Sequence, residues 1–213
     1  MKDTLTREDV IAALLKVADD LTAQADELRE LDAAIGDGDL GITVTIGFEA
    51  VRDALPALAG SDIGTILMKS GMVFNRKAAS TFGALYATMM MRMAKVAKGL
   101  EEIGVTELAA MFEAAAQGVQ DRGKAHLGDK TMLDALIPAA AALTTASAEG
   151  TSLAEGLRLA TAAAEKGMRE TVDMKSQIGR ASWFSERTVG FQDPGATAIT
   201  MMIRSLSEFV QDR

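Results

Sequence analysis

Three aspartates, Asp32, Asp37 and Asp39, stand inside the stretch "LDAAIGDGDLG" at residues 31–41, interleaved with Gly36, Gly38 and Gly41. Glycines permit the tight backbone that turns neighbouring carboxylates toward one point. A convergent set of carboxylates offers only oxygen. That suits a hard cation such as Mg2+, which binds through a few carboxylates, waters and substrate phosphates. The glycines alone, read as G-x-G-x-x-G, suggest a loop lying against phosphate, but the aspartates between them would repel it. A metal resolves the conflict: the aspartates hold the metal, the metal holds phosphate, and the glycines let the chain come close. The start of the next helix, Gly41 to Thr43, would add amide donors.

Other readings of the stretch fare less well. A dinucleotide fingerprint needs a strand in front of it, and residues 18–35 are helical in pattern. An EF-hand loop begun at Asp37 puts Ile42 where glycine is required. An acidic solvated turn stays open, because Asp and Gly are ordinary turn residues.

Further candidates lie elsewhere. Arg180, in a long loop, suits the stabilisation of charge on a phosphoryl group in flight, in competition with a surface ion pair to Glu186. Asp129 and Lys130 read either as part of a functional site or merely as the cap and decoration of a helix start. His126, the single histidine, reads as an ordinary loop residue. Met89, Met90, Met91 and Met93 read as helix core. Trp183 and Phe184 either dock a partner or pack their loop onto the body of the protein.

Helices must position these groups. With 213 residues, 48% of them hydrophobic, the chain can bury a sizeable core. Alanine, leucine and methionine dominate, prolines number three, and the one β-like run is "ITVTI" at 42–46. The first helix is expected from a cap at Thr6 to the glycines near 36. Others follow at about 42–55, 62–75, 84–99, 106–121, 128–143, 151–171 and 195–211. Pro138 is expected to kink the sixth. The 172–194 stretch is expected to be a non-periodic, functional loop. The fold class is therefore all-α: one domain over residues 1–213, an antiparallel barrel or bundle of about eight helices.

Cysteine is absent, which excludes disulfides and thiolate metal sites. A formal charge of −8 argues against a general nucleic-acid binder. No apolar run approaches the ~20 residues that span a bilayer, and the N-terminus does not read as a signal peptide. The expected location is the cytoplasm, with no membrane or nucleic-acid partner.

The acidic stretch resembles the metal-binding segment of the nucleotide-binding (L) subunit of dihydroxyacetone kinases. Two later stretches agree: "GDKTMLDALIPA" at 128–139 is similar to that family's G-D-K-T-M-x-D motif, and "GRASWFSERTVGFQDPGA" at 179–196 to its G-R-A-S…E-R-S…G…D-P-G-A loop. The resemblance implies a barrel of eight helices with ADP or ATP and two Mg2+ at one end. It implies Asp32, Asp37 and Asp39 as metal ligands and Leu40, Gly41, Ile42 and Thr43 along the phosphates. Gly128 to Met132 would lie near the nucleotide, with Met132 against adenine. Arg180 would reach phosphate, and Asp193, Pro194 and Gly195 would close the site. Ser80 and Thr81 take the place of a G-x-S-G contact, where this chain reads "NRKAASTFGALYA" with Ala78 and Ala79. The family often has histidine and asparagine where this chain has Leu40 and Thr43, marking a divergent branch. The implied activity is transfer of the γ-phosphoryl of Mg-ATP to a small hydroxy-ketone presented by a K-type partner subunit. In some relatives a phosphotransferase-system protein is the phosphoryl donor. A nucleotide-dependent regulatory module, or a kinase for a four-carbon keto sugar or a fatty acid, are the alternatives. The oligomeric state is open, a homodimer included.

Overall fold

The structure, a computed structural model, describes residues 3–213, excepting the side chains of Arg180, Phe184 and Ser185. Nine α-helices carry the described residues: α1 (Arg7–Ala23), α2 (Ala25–Ile35), α3 (Leu40–Ala54), α4 (Ile63–Lys77), α5 (Thr81–Val96), α6 (Val105–Gly123), α7 (Leu133–Ala148), α8 (Leu153–Glu170) and α9 (Pro194–Gln211). Eight of them close a ring. α1 packs on α3, each helix from α3 to α8 packs on the next, and α9 returns to α1. α2 stands outside the ring against α3 and α9. The expected all-α barrel is present. The long first helix is in fact two, broken at Gln24, whose amide reaches back to Asp20 and Leu21 carbonyls.

Side chains fill the ring's interior. α1 starts on the expected Thr6 capping box with Asp9 and buries Val10, Ala13, Val17, Ala18 and Leu21. From α3, α4 and α5 come Phe48, Phe74 and Tyr86, with Phe48 edge-on to Phe74 at 5.1 Å and to Tyr86 at 5.6 Å. Such pairs add about 0.5–1.5 kcal/mol beyond the area they bury. Met89, Met90 and Met93 face this core and Met91 faces outward, as the helical period requires. No helix among the described residues is long and apolar enough to cross a membrane.

Two connections differ from expectation. α7 begins at Leu133, not near 128, because residues 128–132 form a separate turn; it then runs through Pro138 to Ala148. The 172–194 stretch is not structureless: a 3-10 helix occupies Arg180–Thr188.

Candidate functional site

At one end of the barrel a cleft of about 290 Å3 lies between the turn after α2, the start of α5, the 128–132 turn and the start of α9. Its wall includes Asp32, Asp37, Asp39 and Leu40 on one side, Ala79, Ser80, Thr81 and Phe82 on another, and Lys130, Thr131, Met132, Asp193, Pro194 and Gly195 opposite.

The acidic turn is built from α2 outward. Asp32 sits in the last turn of α2, and its Oδ2 accepts the Leu40 amide at 3.2 Å, tying the end of α2 to the start of α3. A Cβ at position 36 would lie 2.5 Å from Asp32 Oδ1, so a larger residue there would push that carboxylate out of place. Gly38 follows at φ +74, the left-handed region open to glycine. One oxygen from each of Asp32, Asp37 and Asp39 then falls within 4.8 Å of the others. Asp32 is half-buried, and Asp37 and Asp39 are exposed. Burial, and then the charge of Asp32, push the Asp39 carboxyl above its usual range. Anions so crowded repel one another unless a cation sits among them, and the set fits an oxygen-ligated divalent ion.

The rest of the "LGIT" run points elsewhere. Gly41 is a packing glycine: a Cβ there would meet the Ala25 carbonyl of α2 at 2.2 Å. Ile42 is 57% exposed, and Thr43 is buried with its amide bonded to Asp39 O at 2.9 Å. Of the four residues expected along the phosphates, only Leu40 lines the cleft. Ser80 and Thr81 both line it, and Ser80 also caps α5 by accepting the Gly83 amide at 2.9 Å.

Across the cleft, Asp193 caps α9. Its Oδ2 accepts the Ala196 amide at 2.7 Å, and its own amide donates to Thr171 Oγ at 2.9 Å. Burial raises its carboxyl to about 7, with Asp134 adding to the rise and Lys130 opposing it. Gly195 lies against Met132, where a Cβ would stand 3.4 Å from the Met132 backbone nitrogen. Gly128 has φ +95 and gives its amide to Asp134 Oδ1 at 2.6 Å; it shapes the turn without lining the cleft. The side chain of Arg180 lies outside the described residues, although its neighbours Gly179 and Ala181 line the cleft. Glu186, its alternative partner, accepts a hydrogen bond from Lys175 at 2.7 Å. His126 is exposed on its loop. Trp183 is 82% exposed, so it does not pack its loop onto the barrel.

Lys130 and Asp134 are the residues that sequence reasoning undervalued. Asp134 is fully buried, its two oxygens accepting the Gly128 and Thr131 amides at 2.6 and 2.7 Å. Lys130, read as helix decoration, is 2% exposed. The signal was an aspartate inside the apolar run "MLDALI". A buried carboxylate must have donors, and the turn before it supplies them.

This arrangement of acidic turn, cleft and helix start inside an α-barrel suits a nucleotide-binding domain, and the chain belongs to the DAK2 domain family, whose model matches residues 34–208. It is 36% identical over 204 residues to the ADP-binding subunit DhaL of the PEP-dependent dihydroxyacetone kinase of Escherichia coli K12, covering 96% of this chain and 97% of that one. The L-subunit resemblance drawn from the three motifs is thus borne out. The chain is also 33% identical over 202 residues to L-erythrulose kinase of Pectobacterium atrosepticum, covering 93% of this chain and 34% of that longer protein. Among solved structures, the dihydroxyacetone kinase of C. freundii in complex with AMP-PNP and Mg2+ superposes with a TM-score of 0.72 at 26% identity, over 93% of this chain and 33% of that one.

Proposed function

We propose that this chain is the nucleotide-binding subunit of a kinase that passes the γ-phosphoryl of ATP to a small hydroxy-ketone held by a separate K-type subunit. The observation that carries the reading is the convergence of three carboxylates within 4.8 Å at the edge of a cleft that also contains a helix start. Asp32, Asp37 and Asp39 are the residues that would hold Mg2+, two ions in the fullest form of the reading. Bound there, the metal would offset phosphate charge and let an anionic ligand enter an acidic site.

This chain's own groups supply position. Met132, packed against Gly195, presents an apolar surface suited to a base. The start of α9 lies at the cleft, its Ala196 and Thr197 amides taken by Asp193, and the positive end of the helix favours an anion there. Arg180 is assigned to the phosphoryl group in flight, beside Gly179 and Ala181. Holding the reacting groups in place is most of what this chemistry asks of a protein.

The E. coli relative is named PEP-dependent and ADP-binding. On that model the resident nucleotide is ADP, rephosphorylated in place by a phosphotransferase-system protein. Ile178, Val189 and Phe191 join Trp183 as exposed apolar residues on the 174–191 segment, a surface suited to a docking subunit. The acceptor is dihydroxyacetone or, given the erythrulose kinase relative, a four-carbon keto sugar. A phosphotransfer assay over both acceptors, with and without a K-type subunit, tests the reading. Transfer is expected only with that subunit present; robust turnover by the pure chain would overturn it.

A further inference from the structure

Lys130 has two costly features. Its backbone sits at φ 61, the left-handed region disfavoured for residues with a Cβ. Its ammonium group is buried, although ammonium is strongly hydrated in water. A built cage accounts for both. Nζ donates to the carbonyls of Met174 at 3.1 Å, Phe191 at 2.6 Å and Thr188. An ammonium has three N–H donors, and here there are three carbonyls to receive them. Left-handed backbone at position 130, fixed by Asp134 on either side at Gly128 and Thr131, delivers the side chain to that cage.

The carbonyls come from both ends of one segment. Met174 stands at its entry and Phe191 at its exit, two residues before Asp193; Ile178, Gly179 and Ala181, all cleft residues, lie between. We propose that Lys130 is a positioning residue whose ammonium latches the two ends of the 174–191 segment together and so fixes the cleft wall that carries Gly179, Arg180 and the Asp193 helix start. Smaller ties support the latch: Gln177 N donates to Asp129 O at 3.1 Å and Gly190 N to Val172 O at 2.8 Å. Ser176 N also donates to Thr188 Oγ1 at 3.0 Å. Burial pulls the Lys130 ammonium below its usual range, and the charge of Asp193 opposes that fall. The inference rests on the nucleotide reading only where ligand affinity is the readout.

The test compares Lys130→Gly, Lys130→Met and the unsubstituted protein. Glycine relieves the left-handed backbone and leaves a cage open to a small cation; methionine keeps the bulk without the charge. Three quantities are followed: tryptic cleavage after Lys175 and Arg187 in the apo protein, emission of Trp183, the sole tryptophan, and affinity for Mg-ADP. Each is read in ammonium chloride and in tetramethylammonium chloride at equal ionic strength. Both variants should be cleaved in the segment at least about tenfold faster and bind Mg-ADP about tenfold more weakly, the change that follows from a loss of about 1.4 kcal/mol. Ammonium should restore Lys130→Gly saturably; tetramethylammonium should not, and Lys130→Met should respond to neither. Cleavage within twofold of the unsubstituted protein, or equal response to both salts, overturns the latch. A failure of all three proteins to bind nucleotide defeats the nucleotide reading and leaves the cleavage and rescue results to decide the latch. If neither variant folds, reductive methylation of the unsubstituted protein in sub-denaturing urea decides it. Lys130 should be modified at the rate at which the segment is cut; modification only on global unfolding contradicts the proposal.

Discussion

The two walls of the cleft are held by opposite means. On the acidic turn, like charges are crowded: three carboxylates from positions 32 to 39 stand within 4.8 Å, two of them exposed, and the Asp39 carboxyl is pushed up by burial and by Asp32. On the facing wall, buried charges are surrounded by donors and acceptors drawn from far along the chain, as Lys130 is by carbonyls at 174, 188 and 191. One wall stores repulsion that only a bound cation relieves; the other spends burial to keep a shape. Residues of the first should therefore matter for ligand and little for folding, and those of the second for folding first.

The largest effect should come from breaking the acidic wall. Asp37→Ala is expected to weaken Mg-dependent ADP binding by about a hundredfold or more, since a remaining pair of carboxylates holds magnesium poorly. Its apo stability should be unchanged or slightly raised, because a repelling charge is gone. Calorimetric binding and thermal melts of the same sample check both halves; a marked loss of stability would erase the contrast between the walls.

Asp134→Ala should do the reverse. It leaves the Gly128 and Thr131 amides without their acceptor. The expected loss is about 2–3 kcal/mol of stability, read by urea unfolding. A loss under about 0.5 kcal/mol would mean that the turn holds without its carboxylate.

Asp193 sharpens the comparison through pH. Its folded carboxyl is raised to about 7, above the ordinary value of 3.8. Between those values the folded protein holds a proton that the unfolded chain has released, so stability falls as pH rises from about 4 to 7 and levels off above. The decline should be on the order of 2 kcal/mol between pH 5 and 8. Asp193→Asn, which keeps an oxygen for the Ala196 amide, should flatten it. A slope that survives the substitution would place its origin at another group.

The smallest stability effect is expected at Trp183. Alanine there should shift unfolding by less than about 0.5 kcal/mol, because the side chain is 82% exposed. Phosphotransfer with the partner subunit should nevertheless fall severalfold. Unchanged transfer would remove Trp183 from the docking surface.

The same division explains what the sequence revealed. The acidic turn could be read because its chemistry is local: three aspartates and the glycines that bend them lie within one short stretch. The helical ring was readable for a similar reason, since each helix carries its own 3.6-residue apolar stripe and needs only its neighbours. The break at Gln24 was not, because α1 and α2 meet in one continuous helical pattern and no glycine or proline marks the join. Nor was the role of Gly41, which packs against the Ala25 carbonyl and belongs to a helix crossing. Lys130 was hardest. A lysine after an aspartate at a turn looks like solvated decoration until chain 44 to 61 residues away folds over it. The cage consists of backbone carbonyls, which every residue has and no sequence pattern marks.

On the proposed function, the acidic turn holds the metal through which nucleotide is bound. Titration calorimetry of ADP into the full chain, once with Mg2+ and once with excess EDTA, tests it most directly. Affinity should be at least about a hundredfold weaker in EDTA, with Asp37→Ala in Mg2+ behaving like the unsubstituted protein in EDTA. Equal affinity with and without the metal would contradict it.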